Sequence, residues 1–145
     1  MSLDGTYDDG NIFAKILRGE MPAARVFEDD HVLAFMDVFP QAKGHTLVIP
    51  KHSSARNLLD EEPQTLAHLF QGVQRVARAV RAALNPDGLV ITQFNGAPAG
   101  QTVFHLHVHI IPRWGGVALG RHAGGGMADA GELKVLAEQI AAMIA

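Results

Sequence analysis

The chain of 145 residues contains no cysteine. Disulfides, a thiolate nucleophile and a cysteine-type zinc site are therefore excluded, and a reducing cytoplasmic setting fits. Neither sign of charge dominates: 12 Lys and Arg stand against 15 Asp and Glu, a formal net charge of −3 with the histidines neutral. The basic residues are scattered, which argues against a nucleic-acid surface, since such surfaces gather Lys and Arg on one face. No apolar run approaches the roughly 18–20 residues a membrane span needs. The opening residues, Met1 to Gly10, are acidic and polar with no charged-then-apolar leader, so no secretory signal is expected. What remains is a globular composition, 48% hydrophobic and 19% charged, sized for one domain with one core.

Residues 1–10 read as a flexible tail. Asn11 can cap a short helix over Ile12 to Arg18, with Ile12, Phe13 and Ile16 inward and Gly19 as its stop. Arg25 to Glu28 and His31 to Asp37, joined at Asp29-Asp30, read as a β-hairpin, and His45 to Ile49 as a strand closed by Pro50. Asp60 opens the longest helix, with Pro63 in its first turn. Leu66, Leu69, Phe70, Val73, Val76, Ala77, Val80 and Leu84 keep its helical period to the stop at Asn85-Pro86-Asp87-Gly88. Leu89 to Phe94 and Thr102 to Ile111 read as strands around a turn-rich loop. Residues 115–126 hold six glycines and read as a mobile loop. A last helix spans Asp129 to Ile144, with Asp129-x-x-Glu132 as a capping box and Leu133, Leu136, Ile140 and Met143 as its stripe. Hairpins without βαβ alternation point to an α+β domain with an antiparallel sheet.

Histidine is the unusual residue: there are eight, and His105, His107 and His109 lie within five positions. On a strand these three would share one face about 7 Å apart, with Phe104, Leu106, Val108 and Ile110 on the other face, in a core. Strands seldom place three imidazoles so. Three explanations compete. Alternating histidines can chelate a metal. A neutral imidazole can serve as nucleophile or base near pH 7. An exposed polar face, or hydrogen-bonded structural histidines, needs no function at all.

The run His105-Leu106-His107-Val108-His109-Ile110-Ile111 resembles the His-φ-His-φ-His-φ-φ signature, φ being apolar, of the histidine triad (HIT) family of nucleotide hydrolases and transferases. Further segments follow in the family's order: Asn11 to Ile16 with Gly19-Glu20-Met21-Pro22, Glu28-Asp29-Asp30, Ala34 to Asp37, Pro40-Gln41, Gly44-His45, Leu47 to Lys51, and Asn95-Gly96 with Gly100 to Val103. The resemblance implies a five-stranded antiparallel sheet with helices packed on it. The HIT domain would span residues 11–114, and residues 115–145 would add the Gly-rich loop and an extra C-terminal helix. It also implies a homodimer and a purine nucleotide ligand resembling AMP; no cofactor is expected, and no metal, because the cysteine zinc ligands of some relatives are missing here.

By the same resemblance His107 is the nucleophile at an α-phosphorus, oriented by the backbone carbonyl of His105, while His109 and His45 hold phosphate oxygens. Ile12, Phe13, Ile16, Phe35, Met36, Val38 and Leu47 would line the base pocket, and Asp37 would bind the ribose hydroxyls. Gly100, Gln101, Thr102 and Val103 would form the phosphate loop with Asn95. The remaining histidines, His31, His52, His68 and His122, receive no role in the triad. Three departures stand out. Asn11 and Ala14 occupy the positions where some bacterial relatives carry Cys-x-x-Cys for a structural zinc. Phe94 stands where many relatives have Asn or Gln, with Asn95 beside it as a substitute. The chain lacks the Trp-Pro-Pro-Gly ending of the phosphoramidase branch. His109, where uridylyltransferase-like relatives carry Gln, points to hydrolysis. The loop from Asn95 to Thr102 resembles the dinucleoside polyphosphate hydrolase branch, which is the rival enzyme reading. A nucleotide-binding regulatory protein without turnover is the other rival.

Overall fold

The computed structural model describes residues 2–120 and 126–145. Helix α1 (Ile12–Leu17) leads into β1 (Arg25–Glu28), β2 (Val32–Met36) and β3 (Thr46–Pro50). Helix α2 (Pro63–Leu84), β4 (Gly88–Thr92), β5 (Val108–Arg113) and α3 (Ala130–Ala141) complete the order. The strands form one antiparallel sheet ordered β1-β2-β3-β5-β4. This is the expected α+β architecture.

Side chains alternate along β2 and so divide between two layers. Val32, Ala34 and Met36 enter the larger core with α2 and α3, together with Val48, Leu106, Val108 and Ile110. Leu33 and Phe35 point the other way, to a smaller cluster with Phe13 and Ile16 of α1 and Leu47 and Ile49 of β3. His107 and His109 lie on this second side, by Phe13 and Leu47.

Local chemistry sets the helix ends. Asn11 accepts a hydrogen bond from the Ala14 N–H and so caps α1. Helix α2 begins at Pro63 rather than Asp60, because a residue before proline is driven to extended backbone; Glu62 has ψ 138°. Leu58–Asp60 is a separate turn, capped by Asn57. Helix α2 ends at Asn85 in the left-handed conformation, φ 51°. A Cβ at Gly72 would stand 2.8 Å from Val32 Cγ2, so glycine there lets α2 lie directly on β2. Phe70, expected in the buried stripe, is 42% exposed, because Leu69 takes the inward place and the next residue turns about 100° away. Met143, beyond the end of α3, is also exposed. The capping box of α3 is present, with Asp129 Oδ2 accepting from the Glu132 N–H.

Residues 2–10 differ from the flexible tail expected. They run along the domain: Arg56 donates to the carbonyls of Ser2 and Thr6, Asn57 donates to the Leu3 carbonyl, and the Ala97 N–H donates to Ser2 Oγ. Of the Gly-rich loop, residues 121–125, with His122, lie outside the described residues.

The largest correction concerns the triad strand. Strand β5 starts at Val108, not Thr102, and runs through Pro112 to Arg113. Among the described residues no strand pairs with the chain upstream of it, and the Leu106 N–H donates instead to the Ala55 carbonyl. β3 ends at Pro50, which lacks an N–H, and the β4 ladder ends at the pair Thr92–His109. Phe104 therefore leaves the core and lies half-buried under the guanidinium of Arg56, 4.6 Å from the ring centroid.

Candidate active site

His107 and His105 sit in the irregular segment just before β5, and His109 is the second residue of that strand. All three are buried, as is His45, which precedes β3. Freed from the ladder, the backbone at His105 turns its carbonyl onto its neighbour: His107 Nδ1 lies 2.7 Å from the His105 oxygen. A carbonyl only accepts, so Nδ1 carries the proton, and the lone pair of His107 resides on Nε2. Phe13 presents an edge contact to the same ring, centroids 4.9 Å apart. His107 and His109 rings are 5.0 Å apart.

A second chain of bonds fixes His45 and His109. The Gln41 N–H donates to His45 Nδ1 at 3.0 Å. His45 therefore keeps its proton on Nε2, which lies 2.9 Å from His109 Nδ1. His109 accepts at Nδ1 and so bears its own proton on Nε2, as a donor. Asp37 Oδ2 stands 3.4 Å from His45 Nε2, and Asp37 Oδ1 accepts from the Phe39 N–H. The carboxylate thus faces the imidazole pair that would gain positive charge if protonated.

Among the described residues, the ligand atoms of Asp37, His45 and His109 lie within 4.8 Å of one another, a spacing that could take a metal ion. The bonding argues for a proton instead. A cation on His45 Nε2 would require the proton on Nδ1, where the Gln41 N–H already points.

The ring of His105 faces away from this centre. Its Nε2 donates to the Pro50 carbonyl at 3.2 Å, and its Nδ1 meets the Tyr7 hydroxyl at 2.6 Å. Burial pushes its pKa down from 6.5 to about 4; the bond to the Pro50 carbonyl opposes this, and the neighbouring His107 adds to it. The ring is a neutral strut, and its backbone carbonyl is what reaches His107.

Of the residues expected around a base, Phe13, Ile16, Phe35 and Leu47 come together, with Val103 packed against them. Phe13 and Phe35 meet edge to face at 5.4 Å. Ile12 is exposed on α1 rather than inward. Met36 and Val38 lie in the opposite layer, against the larger core, since neighbouring strand residues face opposite sides. Gln101 does not turn to the site: its amide donates to the carbonyls of Arg56 and Val103 and accepts from the Gly96 N–H. Asn95 Oδ1 accepts from the Leu58 N–H and from Gln93 Nε2, so it braces the loop. Gly100, at φ 113°, packs beneath Phe94, and Thr102 is exposed. Phe94 itself puts its ring edge to face with His109, centroids 5.4 Å apart. Tyr7, the Gln41 N–H and the Pro50 carbonyl were not foreseen. The segments Pro40-Gln41 and Leu47 to Lys51 gave a signal for two of them; Tyr7 had none.

Sheet and histidine cluster together define an α+β protein of the histidine-triad class. The HIT domain profile matches residues 18–116, and the chain belongs to the HIT family. It is 48% identical over 104 residues to Protein hit of Bacillus subtilis, a match spanning 72% of this chain and 71% of that one. It is 36% identical over 124 residues to adenylylsulfatase HINT3 of Arabidopsis thaliana, spanning 81% of this chain and 62% of that protein. The crystal structure of a Hit-like protein involved in cell-cycle regulation from Bartonella henselae, with an unknown ligand, matches at TM-score 0.87 and 49% identity, covering 94% of this chain and 98% of that one.

Proposed function

We propose that the protein hydrolyses purine nucleoside phosphate derivatives, phosphoramidates or other nucleotidyl conjugates, at the α-phosphate. The observation that carries this is the His107 Nδ1–His105 carbonyl bond of 2.7 Å, which supports a lone pair on Nε2 as nucleophile. Nε2 attacks the α-phosphorus, and the bond to the leaving group breaks. Water then attacks the nucleotidyl-imidazole, the P–N bond breaks, and His107 and the nucleotide are released. His109 Nε2–H, held by His45, donates to a phosphate oxygen as charge develops there. Phe13, Ile16, Phe35 and Leu47 hold the base, with Ile12 at the rim, and Asp37 takes the ribose hydroxyls. Similarity to the Arabidopsis adenylylsulfatase HINT3 supports adenylyl conjugates as the substrate class.

The test is His107→Ala. Hydrolysis of an adenosine phosphoramidate is expected to vanish while AMP binding persists; hydrolysis at the parental rate overturns the assignment. Preferential turnover of a diadenosine polyphosphate would favour the rival enzyme reading. AMP binding without turnover of either substrate would favour a regulatory role.

The assembly we propose is a homodimer. Strand β4 is a sheet edge with Val90 and Ile91 exposed, and the exposed Phe70 of α2 shares a groove with Ile91 and Leu89. An unpartnered apolar edge suits pairing with a second copy. The absence of cysteine supports a cytoplasmic location, and no described helix is long and apolar enough to cross a membrane.

A further inference from the structure

Tyr7 lies outside the matched family segment, in residues expected to be a tail, yet its hydroxyl is 2.6 Å from His105 Nδ1. It is the single tyrosine of the chain. The direction of that bond follows from the other end of the ring. The Pro50 carbonyl can only accept, so His105 Nε2 carries the proton and Nδ1 is an acceptor. Tyr7 must be the donor. Burial raises the phenol's pKa, which keeps it protonated. The tyrosine ring also stands edge to face against the imidazole, centroids 5.7 Å apart.

The segment carrying Tyr7 is itself anchored. Arg56 holds the carbonyls of Ser2 and Thr6, Asn57 holds that of Leu3, and the Asn11 N–H closes a turn on the Asp8 carbonyl. Phe13, just beyond that turn, contacts both the His105 and His107 rings. Both nitrogens of His105 are thereby pinned from opposite sides, one by the N-terminal segment and one by the end of β3. The backbone carbonyl of the same residue is the acceptor that sets the tautomer of His107. In an irregular segment without ladder bonds, side-chain anchors replace the strand as the source of rigidity.

We infer that Tyr7 is a positioning residue for the nucleophile: its hydroxyl fixes His105, and the His105 carbonyl fixes His107 in the Nδ1-protonated form. This rests on the reading of His107 as nucleophile. Tyr7 bonds to His105, whose ring faces away from the His107–His109 centre, so its loss is expected to act on turnover and leave ground-state binding alone.

The experiment uses the full chain. Tyr7→Phe keeps the ring contact and removes only the hydroxyl. Steady-state hydrolysis of an adenosine phosphoramidate is measured together with the imidazole tautomers, by long-range nitrogen–proton correlation NMR. Expected is a loss in kcat of about three- to tenfold, the scale of one hydrogen bond, with KM within twofold. The population of Nδ1-protonated His107 falls in parallel. An unchanged kcat, a change confined to KM, or a slower enzyme whose His107 remains wholly Nδ1-protonated each overturns the inference. Tyr7→Leu, with the same readouts and a thermal melt, must reproduce the loss of turnover in a folded protein. His107→Ala run alongside separates the two layers: full activity there overturns the nucleophile itself, and the Tyr7 inference with it.

Discussion

At His105, burial outweighs the helpful carbonyl of Pro50 and holds the folded pKa near 4, against 6.5 for the free side chain. Between those values the unfolded chain binds the proton and the folded chain does not. Stability is therefore full above about pH 6.5 and is lost as pH falls toward 4, by about 3 kcal/mol from this residue. Urea titrations at pH 7 and pH 4 are expected to show that loss in the parent and a smaller one in His105→Asn. Equal losses in the two proteins would place the acid sensitivity elsewhere. The triad was legible as a cluster because three imidazoles alternate with apolar residues. The unequal roles of its members were not. Whether a ring faces the centre or a structural carbonyl depends on Pro50, Gln41 and Tyr7, which are 55, 4 and 98 positions from their histidine partners.

The elements show the same division. The stripe of α2 packs as its period predicts except at Phe70, which is exposed, and the alternation of β2 turns Met36 to the larger core, away from the base pocket expected of it. The alternation around His107 also has a strand period, yet the ladder stops at Val108, since a strand needs a neighbour as well as a pattern. Proline explains two of the misplaced boundaries, the start of α2 and, because β3 ends at Pro50, the start of β5. Gly72 marks a contact that no period reveals: the helix approaches β2 so closely that a Cβ would meet Val32 at 2.8 Å. Gly72→Val is expected to destabilise the fold by about 1–3 kcal/mol through overpacking. A lower urea midpoint with an unchanged slope checks this; a midpoint at or above the parent's would contradict the close approach.

For the whole molecule, the sheet places its exposed apolar edge at β4 and the triad histidines on the side of α1, so the proposed assembly and the proposed chemistry would use different surfaces. Ile91→Glu introduces charge on that edge; by analytical ultracentrifugation the parent is expected to sediment as a dimer and the variant as a monomer. A dimer that persists in the variant would move the interface away from β4. Composition excluded disulfides and membrane helices from the start, while the docking of residues 2–10 depended on contacts with Arg56 and Asn57 that lie some fifty positions away. The central claim is chemical: His107 Nε2 attacks an α-phosphorus. It is tested most directly by mixing the protein with an adenosine phosphoramidate, quenching in alkali to preserve the P–N bond, and sequencing the adduct by mass spectrometry. An adenylyl group on His107, absent from His107→Ala, is the predicted result. Turnover of the substrate with no adduct on His107 under any quench, or an adenylyl group found on His109 or His45 instead, would contradict it.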